Sequence, residues 1–228
     1  MNFKECLKRK VIVSAQAMPD EPFYKEECIT AMMQSAINGG AAGLRVAGAR
    51  DIKIAKQYGV PVIGITKPDK LPSNWKEIVY ITPTIKDVNI VIDAGADIVA
   101  FDGTLRKRPD GSSIKDAISL IHQAGRLAMA DIALEQEGIA CAEAGADILS
   151  TTLCGYTAES LNQSETPAYR LLETLVKKTN LPVILEGRIW TPEEVKKAFD
   201  MGAHSVVIGS AITRPHLITE RFVNYGKY

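Results

Sequence analysis

Short apolar runs alternate with amphipathic stretches along nearly the whole chain, and four of the runs share one grammar. NGGAAGLRV from Asn38, DAGADIVAF from Asp93, EAGADILST from Glu143 and DMGAHSVVI from Asp200 each carry a polar helix end, then Gly-Ala, then β-rich apolar residues. Their spacing of roughly fifty residues marks a repeated structural unit. Between them lie PVIGITK (61–67), RLAMADI (126–132) and PVILEG (182–187), with VIVSAQ (11–16) ahead of all. Stretches such as ARDIKIAKQYG and SIKDAISLIHQAG, apolar at helical spacing, separate the runs.

This pattern predicts eight strands near 11–16, 43–46, 61–67, 97–102, 127–132, 147–152, 182–187 and 205–210, in alternation with helices. Glycine before a strand fits a helix C-cap, where the backbone turns left-handed. Runs apolar on both faces suit parallel strands covered by helices. Eight such units make an α/β fold of the (β/α)8 TIM barrel type at about this length, here a single domain over residues 1–228. The alternative, a doubly wound open sheet, is weakened because no GxGxxG follows the first strand. EIVYITPT (77–84) has strand propensity but falls outside the count, and is expected as a short piece within the long connection after the third strand.

The 46% hydrophobic and 24% charged content is that of a globular protein. Lysine plus arginine equals aspartate plus glutamate at 27 each, which removes the broad basic field of a nucleic-acid or anionic-membrane binder and points to small-molecule partners. The N-terminus lacks the apolar run of a signal peptide and nothing approaches a membrane span, so the expected compartment is the cytoplasm. Cys6, Cys28, Cys141 and Cys154 are scattered, as are His122, His204 and His216, so neither a metal site nor a disulfide framework is expected.

Active sites of such barrels lie at the C-terminal strand ends. Here those ends carry Gln16, Arg45, Lys67, Asp102, Asp131, Thr151 with Thr152, Glu186, and Gly209 with Ser210. A lysine closing the otherwise apolar run PVIGITK is the sharpest of these. Burial lowers a lysine pKa and raises a glutamate pKa, so Lys67 and Glu186 form the natural acid/base pair, or else a structural salt bridge. Arg45 and Asp131 either pair with each other or hold, respectively, an anionic group and a hydroxyl. LEGRI (185–189) and VIGSAI (207–212) place glycines ahead of helix starts at the seventh and eighth ends, the usual phosphate cradle. The basic turn RKRPDG (106–111) is expected to be a solvated loop rather than a second anion site, Trp75 and Trp190 loop or rim packing, and His204 a helix-to-strand junction residue.

The set VSAQAMPDEPFY, GLRV, GITK, RPDG, MADI, TTLCGYT, EGRIWTPEE and GSAITRPHLITERF, from Val13 to Phe222, closely resembles the bacterial N-acetylmannosamine-6-phosphate 2-epimerase family. The resemblance implies a phosphate-binding barrel of the ribulose-phosphate-binding type, a cytoplasmic homodimer in sialic acid and amino-sugar catabolism. It implies interconversion of N-acetylmannosamine 6-phosphate and N-acetylglucosamine 6-phosphate with no metal or organic cofactor. The family's catalytic lysine and glutamate fall on Lys67 and Glu186. Its substrate contacts fall on Gln16, Arg45 and Asp131, and its phosphate contacts on Gly187, Arg188, Gly209, Ser210 and Arg214; Thr151 joins them as a strand-end residue. Arg188 and Ser210 depart from the asparagine and glycine frequent in relatives, which keeps the backbone donors and leaves the side-chain contacts open. Two other readings fit the same barrel: a phosphosugar isomerase or Schiff-base aldolase acting through Lys67, and a non-catalytic phosphosugar-binding barrel.

Overall fold

The computed structural model describes residues 3–161 and 166–225. Eight parallel strands pair each with its sequence neighbours, and β1 pairs with β8 to close the barrel. They are β1 Val11–Ser14, β2 Gly43–Ala47, β3 Val62–Ile65, β4 Ile98–Asp102, β5 Leu127–Asp131, β6 Ile148–Ser150, β7 Val183–Glu186 and β8 Ser205–Ile208. Helix α1 (Phe3–Leu7) precedes β1, and the connections carry α2 (Glu26–Asn38), α3 (Ala49–Ala55), α4 (Ile85–Asp93), α5 (Ile114–Gln123), α6 (Glu135–Glu143), α7 (Tyr169–Lys178) and α8 (Pro192–Asp200). The short α9 (Ser210–Thr213) and α10 (Pro215–Tyr225) follow β8. Among the described residues no helix is long and apolar enough to cross a membrane.

Local chemistry explains the element boundaries. Thr84 with Asp87, Ser113 with Asp116 and Thr191 with Glu194 form capping boxes that start α4, α5 and α8. The Gly-Ala repeat ends helices as expected: Gly40, Gly95, Gly145 and Gly202 have φ of 89°, 93°, 98° and 93°. His204 sits at the junction before β8, its Nε2 2.7 Å from the carbonyl of Lys4 in α1.

Side-chain alternation sorts the apolar residues into two layers. Ile12, Ile63, Ile65, Ile98, Ala100, Met129, Ile148, Ile184 and Val207 cluster inside the barrel, with Leu7 of α1 packed against them. Their strand neighbours, among them Val13, Leu44, Val99, Leu149, Leu185 and Val206, pack outward with the helices. The interior is therefore a mostly apolar plug, and apart from Ser205 at the start of β8 the polar inward positions gather toward the C-terminal ends.

Residues 77–84 lie within the connection after β3 as expected, and one other expectation changes here. Residues 77–84 form no strand, yet they wedge between the upper ends of β3 and β4: Thr82 N–H donates to Thr66 O (3.0 Å), its hydroxyl to Ala100 O (2.7 Å), and Asp102 N–H to Ile81 O (3.0 Å). The basic turn 106–111 is not simply solvated. Arg108 is buried and donates to the carbonyls of Asp102 (2.9 Å) and Thr82 (2.5 Å), while Arg106 donates to Asp102 Oδ2 (2.8 Å) and Lys76 O (2.9 Å). These arginines satisfy carbonyls that the wedge leaves outside any ladder. Asp102 is thereby committed to Arg106 and Thr104, away from the barrel mouth.

Gly64 in β3 faces α3 and α4, where an added Cβ would stand 2.7 Å from Val91, 2.8 Å from Ala96 and 2.9 Å from Ile52. Gly64→Ala should lower stability by about 1–3 kcal/mol through overpacking. An unchanged urea midpoint would contradict this close helix–strand approach.

Candidate active site

The strand ends converge on a cavity of about 320 Å³ at the C-terminal mouth. Gln16, Lys67, Glu186, Gly187, Arg188, Gly209, Ser210 and Arg214 all line it, joined by Ser14, Tyr80, Thr152, Tyr156 and Trp190. Gln16 and Lys67 each stand two residues beyond a paired strand, because the ladders stop short of the predicted ends while the inward alternation continues. Lys67 Nζ donates to Gln16 Oε1 (2.9 Å), and the Gln16 amide donates to Ser14 Oγ (2.9 Å).

Beneath the cavity lies a buried ionic network. Arg45 pairs bidentately with Asp131, at 2.9 and 2.6 Å, and reaches Glu186 Oε2 at 2.9 Å. Arg45 is 1% exposed and Asp131 0%, so of the two readings of this pair the structure takes the mutual one, and neither borders the cavity. The Thr152 hydroxyl bonds Asp131 Oδ1 (2.6 Å) and Glu186 Oε2 (3.1 Å), fixing the carboxylate that faces the cavity.

Thr151 points elsewhere. Its hydroxyl donates to the backbone carbonyl of Glu186 (3.0 Å) and accepts from the Glu186 N–H (3.1 Å), stitching β6 to β7. Thr152, one residue on, has the parity that reaches the mouth. Counting two residues from Ile148 through Ser150 to Thr152 was the available signal. Tyr80 was also missed as a lining residue, although the strand propensity of its segment had marked it.

Burial and charge bring the two facing groups toward neutrality. Burial and then the Arg45 charge lower the Lys67 pKa to about 8, against the opposing pull of Glu186 and Asp131. Burial raises that of Glu186, although Arg45 works the other way. Arg45 itself is driven down by burial, but Asp131 and Glu186 outweigh this and hold it charged. The site thus contains an Arg45-centred ionic network and, lining the cavity above it, a lysine and a carboxyl whose pKa values are shifted in opposite directions.

The wall at β7 and β8 is built from backbone. Gly187 (φ 105°) and Arg188 (φ 59°) adopt left-handed conformations, uncommon for a residue with a side chain. The Arg188 guanidinium donates to Cys154 O (2.7 Å) and Gly155 O (3.2 Å) and lies 4.3 Å from the Tyr156 ring centroid. A Cβ on Gly155 would meet that guanidinium at 2.5 Å, so the glycine of TTLCGYT leaves room for it. Gly209 caps α9, whose first N–H groups have no intrahelical acceptor. Arg214 ends α9 and is held by Glu21 at 2.5 Å. Among the described residues no group of three or more His, Cys, Asp and Glu gathers as a metal site.

A family model described as "Putative N-acetylmannosamine-6-phosphate epimerase" matches residues 29–227. The "Putative N-acetylmannosamine-6-phosphate 2-epimerase" of Clostridium perfringens is 47% identical over 221 residues, covering 96% of this chain and 98% of that protein. Its namesake from Clostridioides difficile is 44% identical over 218 residues, covering 95% and 96%. A solved structure of the N-acetylmannosamine-6-phosphate 2-epimerase from Clostridium perfringens matches with a TM-score of 0.92 at 45% identity, over 99% of this chain and 96% of that one. By family match, by identity over nearly the full length and by shared barrel, the chain belongs to the N-acetylmannosamine-6-phosphate epimerase family.

Proposed function

We propose that the protein interconverts N-acetylmannosamine 6-phosphate and N-acetylglucosamine 6-phosphate by removing and returning the proton on C2, with Lys67 and Glu186 as the two proton-transfer groups. The observation that carries this reading is the pair itself: an amine and a carboxyl lining one cavity, with pKa values displaced toward each other. In the open-chain sugar the C1 aldehyde acidifies C2. One group takes the proton, the C1 oxygen gathers enolate charge, and the other group delivers a proton to the opposite face. No cofactor is required by this sequence of steps.

Gly187, Arg188, Gly209 and Ser210 would hold the phosphate through backbone N–H groups, with Arg214 adding charge. Gln16 orients Lys67, while Arg45, Asp131 and Thr152 orient Glu186 from below. The same reading places the protein in the cytoplasm in sialic acid and amino-sugar catabolism, as a homodimer. Support for the dimer comes from α10, where Phe222, Val223 and Tyr225 stand exposed on one terminal helix. Sedimentation should return twice the chain mass, and Phe222→Asp should shift it toward the single chain.

In deuterated water, substrate incubated with the protein should gain solvent deuterium at C2, read by NMR. Lys67→Ala and Glu186→Gln should each slow conversion by roughly 10²–10⁴-fold. No C2 exchange with the unmutated protein would end the proposal, and undiminished conversion in either variant would remove that residue from it.

Either direction of reaction needs one proton on the pair: neutral lysine with carboxylic acid, or ammonium with carboxylate. Above a pH of about 8 the lysine gives up its proton, and the ammonium-with-carboxylate form of the pair is lost. We therefore expect kcat/KM to fall as pH rises through about 8, in both directions alike. A profile that stays level well beyond this point would argue against Lys67 as a proton carrier.

A further inference from the structure

The segment wedged between β3 and β4 does more than seal the barrel, because it carries Tyr80 and Ile81 into the cavity wall. Tyr80 is 8% exposed, its ring set edge-on against Trp75 with centroids 5.9 Å apart and planes at 90°. Its hydroxyl makes no hydrogen bond among the described residues and is not one of the buried unpartnered atoms, so it is open to the cavity that the residue lines. Thr82, two residues on, is held by its hydroxyl bond to Ala100 O and by Arg108 on its carbonyl, which fixes this placement. Tyr80 is thus a rigid donor waiting for an acceptor.

We propose that Tyr80 is a specificity-determining residue that donates its hydroxyl hydrogen to the carbonyl oxygen of the substrate's N-acetyl group, with its ring and Ile81 facing the acetyl methyl. The inference rests on the epimerase reading given above. In a closed ring of eight strands, β3 and β4 stand across from β7 and β8. With the phosphate held at the β7 and β8 loops and C2 between Lys67 and Glu186, the groups beyond C2 point to the Tyr80 wall. Two such groups exist, the C1 oxygen and the acetamido substituent.

Electrostatics separates them. Burial first, then Asp102 and Asp131, push the phenol's pKa up, with Arg106 a smaller opposing influence, so the hydroxyl stays a hydrogen-bond donor. Among the described residues the Tyr80 wall lends the cavity no cation, since Arg106 is spent on Asp102, whereas Lys67 lines it directly, so the C1 oxygen with its developing charge belongs on the Lys67 side. The neutral amide suits the Tyr80 wall, since it offers one acceptor beside one apolar methyl, the complement of a phenol beside an isoleucine.

The test compares two ligands by competition or calorimetry: N-acetylglucosamine 6-phosphate, and glucose 6-phosphate, which shares the phosphate but has no acetamido group. Tyr80→Phe removes only the hydroxyl. It should weaken the N-acetylated ligand roughly three- to tenfold, the worth of one hydrogen bond, and leave glucose 6-phosphate binding unchanged. Retained glucose 6-phosphate binding also reports an intact fold. Equal weakening of both ligands, or of neither, would overturn the assignment while leaving the epimerase reading standing if C2 exchange persists. An unmutated protein that binds neither ligand would overturn both.

Discussion

The guanidinium of Arg45, buried between Asp131 and Glu186, is the interaction on which the site depends. Removing one partner of a buried ion pair commonly costs about 3–5 kcal/mol, because the other charge is left without water or counter-charge. The arrangement therefore locks three strand ends, β2, β5 and β7, into one geometry. It also divides labour: Arg45 and Asp131 neutralise each other, and the balance above them reduces to Lys67 and Glu186. A pair left holding one proton between an amine near pH 8 and a burial-raised carboxyl is suited to moving that proton either way.

None of these contacts is local. Lys67 and Gln16 are 51 residues apart, Arg45 and Asp131 86, Arg45 and Glu186 141. Only closure of β1 on β8 brings them within 3 Å, and the apolar plug of Ile12, Ile63, Ile98, Met129, Ile148 and Ile184 keeps the ring from collapsing or shearing beneath them. Close packing at positions such as Gly64 holds the helices against that ring. Core packing and site geometry are thus one constraint seen at two depths of the barrel.

The sequence made the architecture legible because each βα unit repeats its grammar, and glycine at a left-handed helix end leaves a visible mark. It made the charged strand ends legible because a lysine or arginine closing an apolar run has few structural reasons to be there. Parity was harder. In a sheet covered on both sides, inward and outward residues are equally apolar, so hydropathy could not choose between Thr151 and Thr152. Nor could spacing say whether Arg45 faces a ligand or Asp131. RKRPDG misled for a related reason: its arginines serve the carbonyls of an irregular segment, a need invisible until that segment's path is known.

That irregular segment also explains the asymmetry of the mouth. At β7 and β8 the wall is glycine backbone, which can approach an anion closely and contributes N–H groups in place of side chains. At β3 and β4 the strands part, and residues 80–82 fill the gap with a tyrosine, an isoleucine and a threonine whose own hydroxyl is spent on Ala100. An inserted, arginine-clamped turn can hold a large side chain over the cavity more rigidly than a free loop, since its backbone is bonded on both flanks. The substrate would therefore meet a charge-binding wall at one end and a shape-reading wall at the other, with the proton-transfer pair between them.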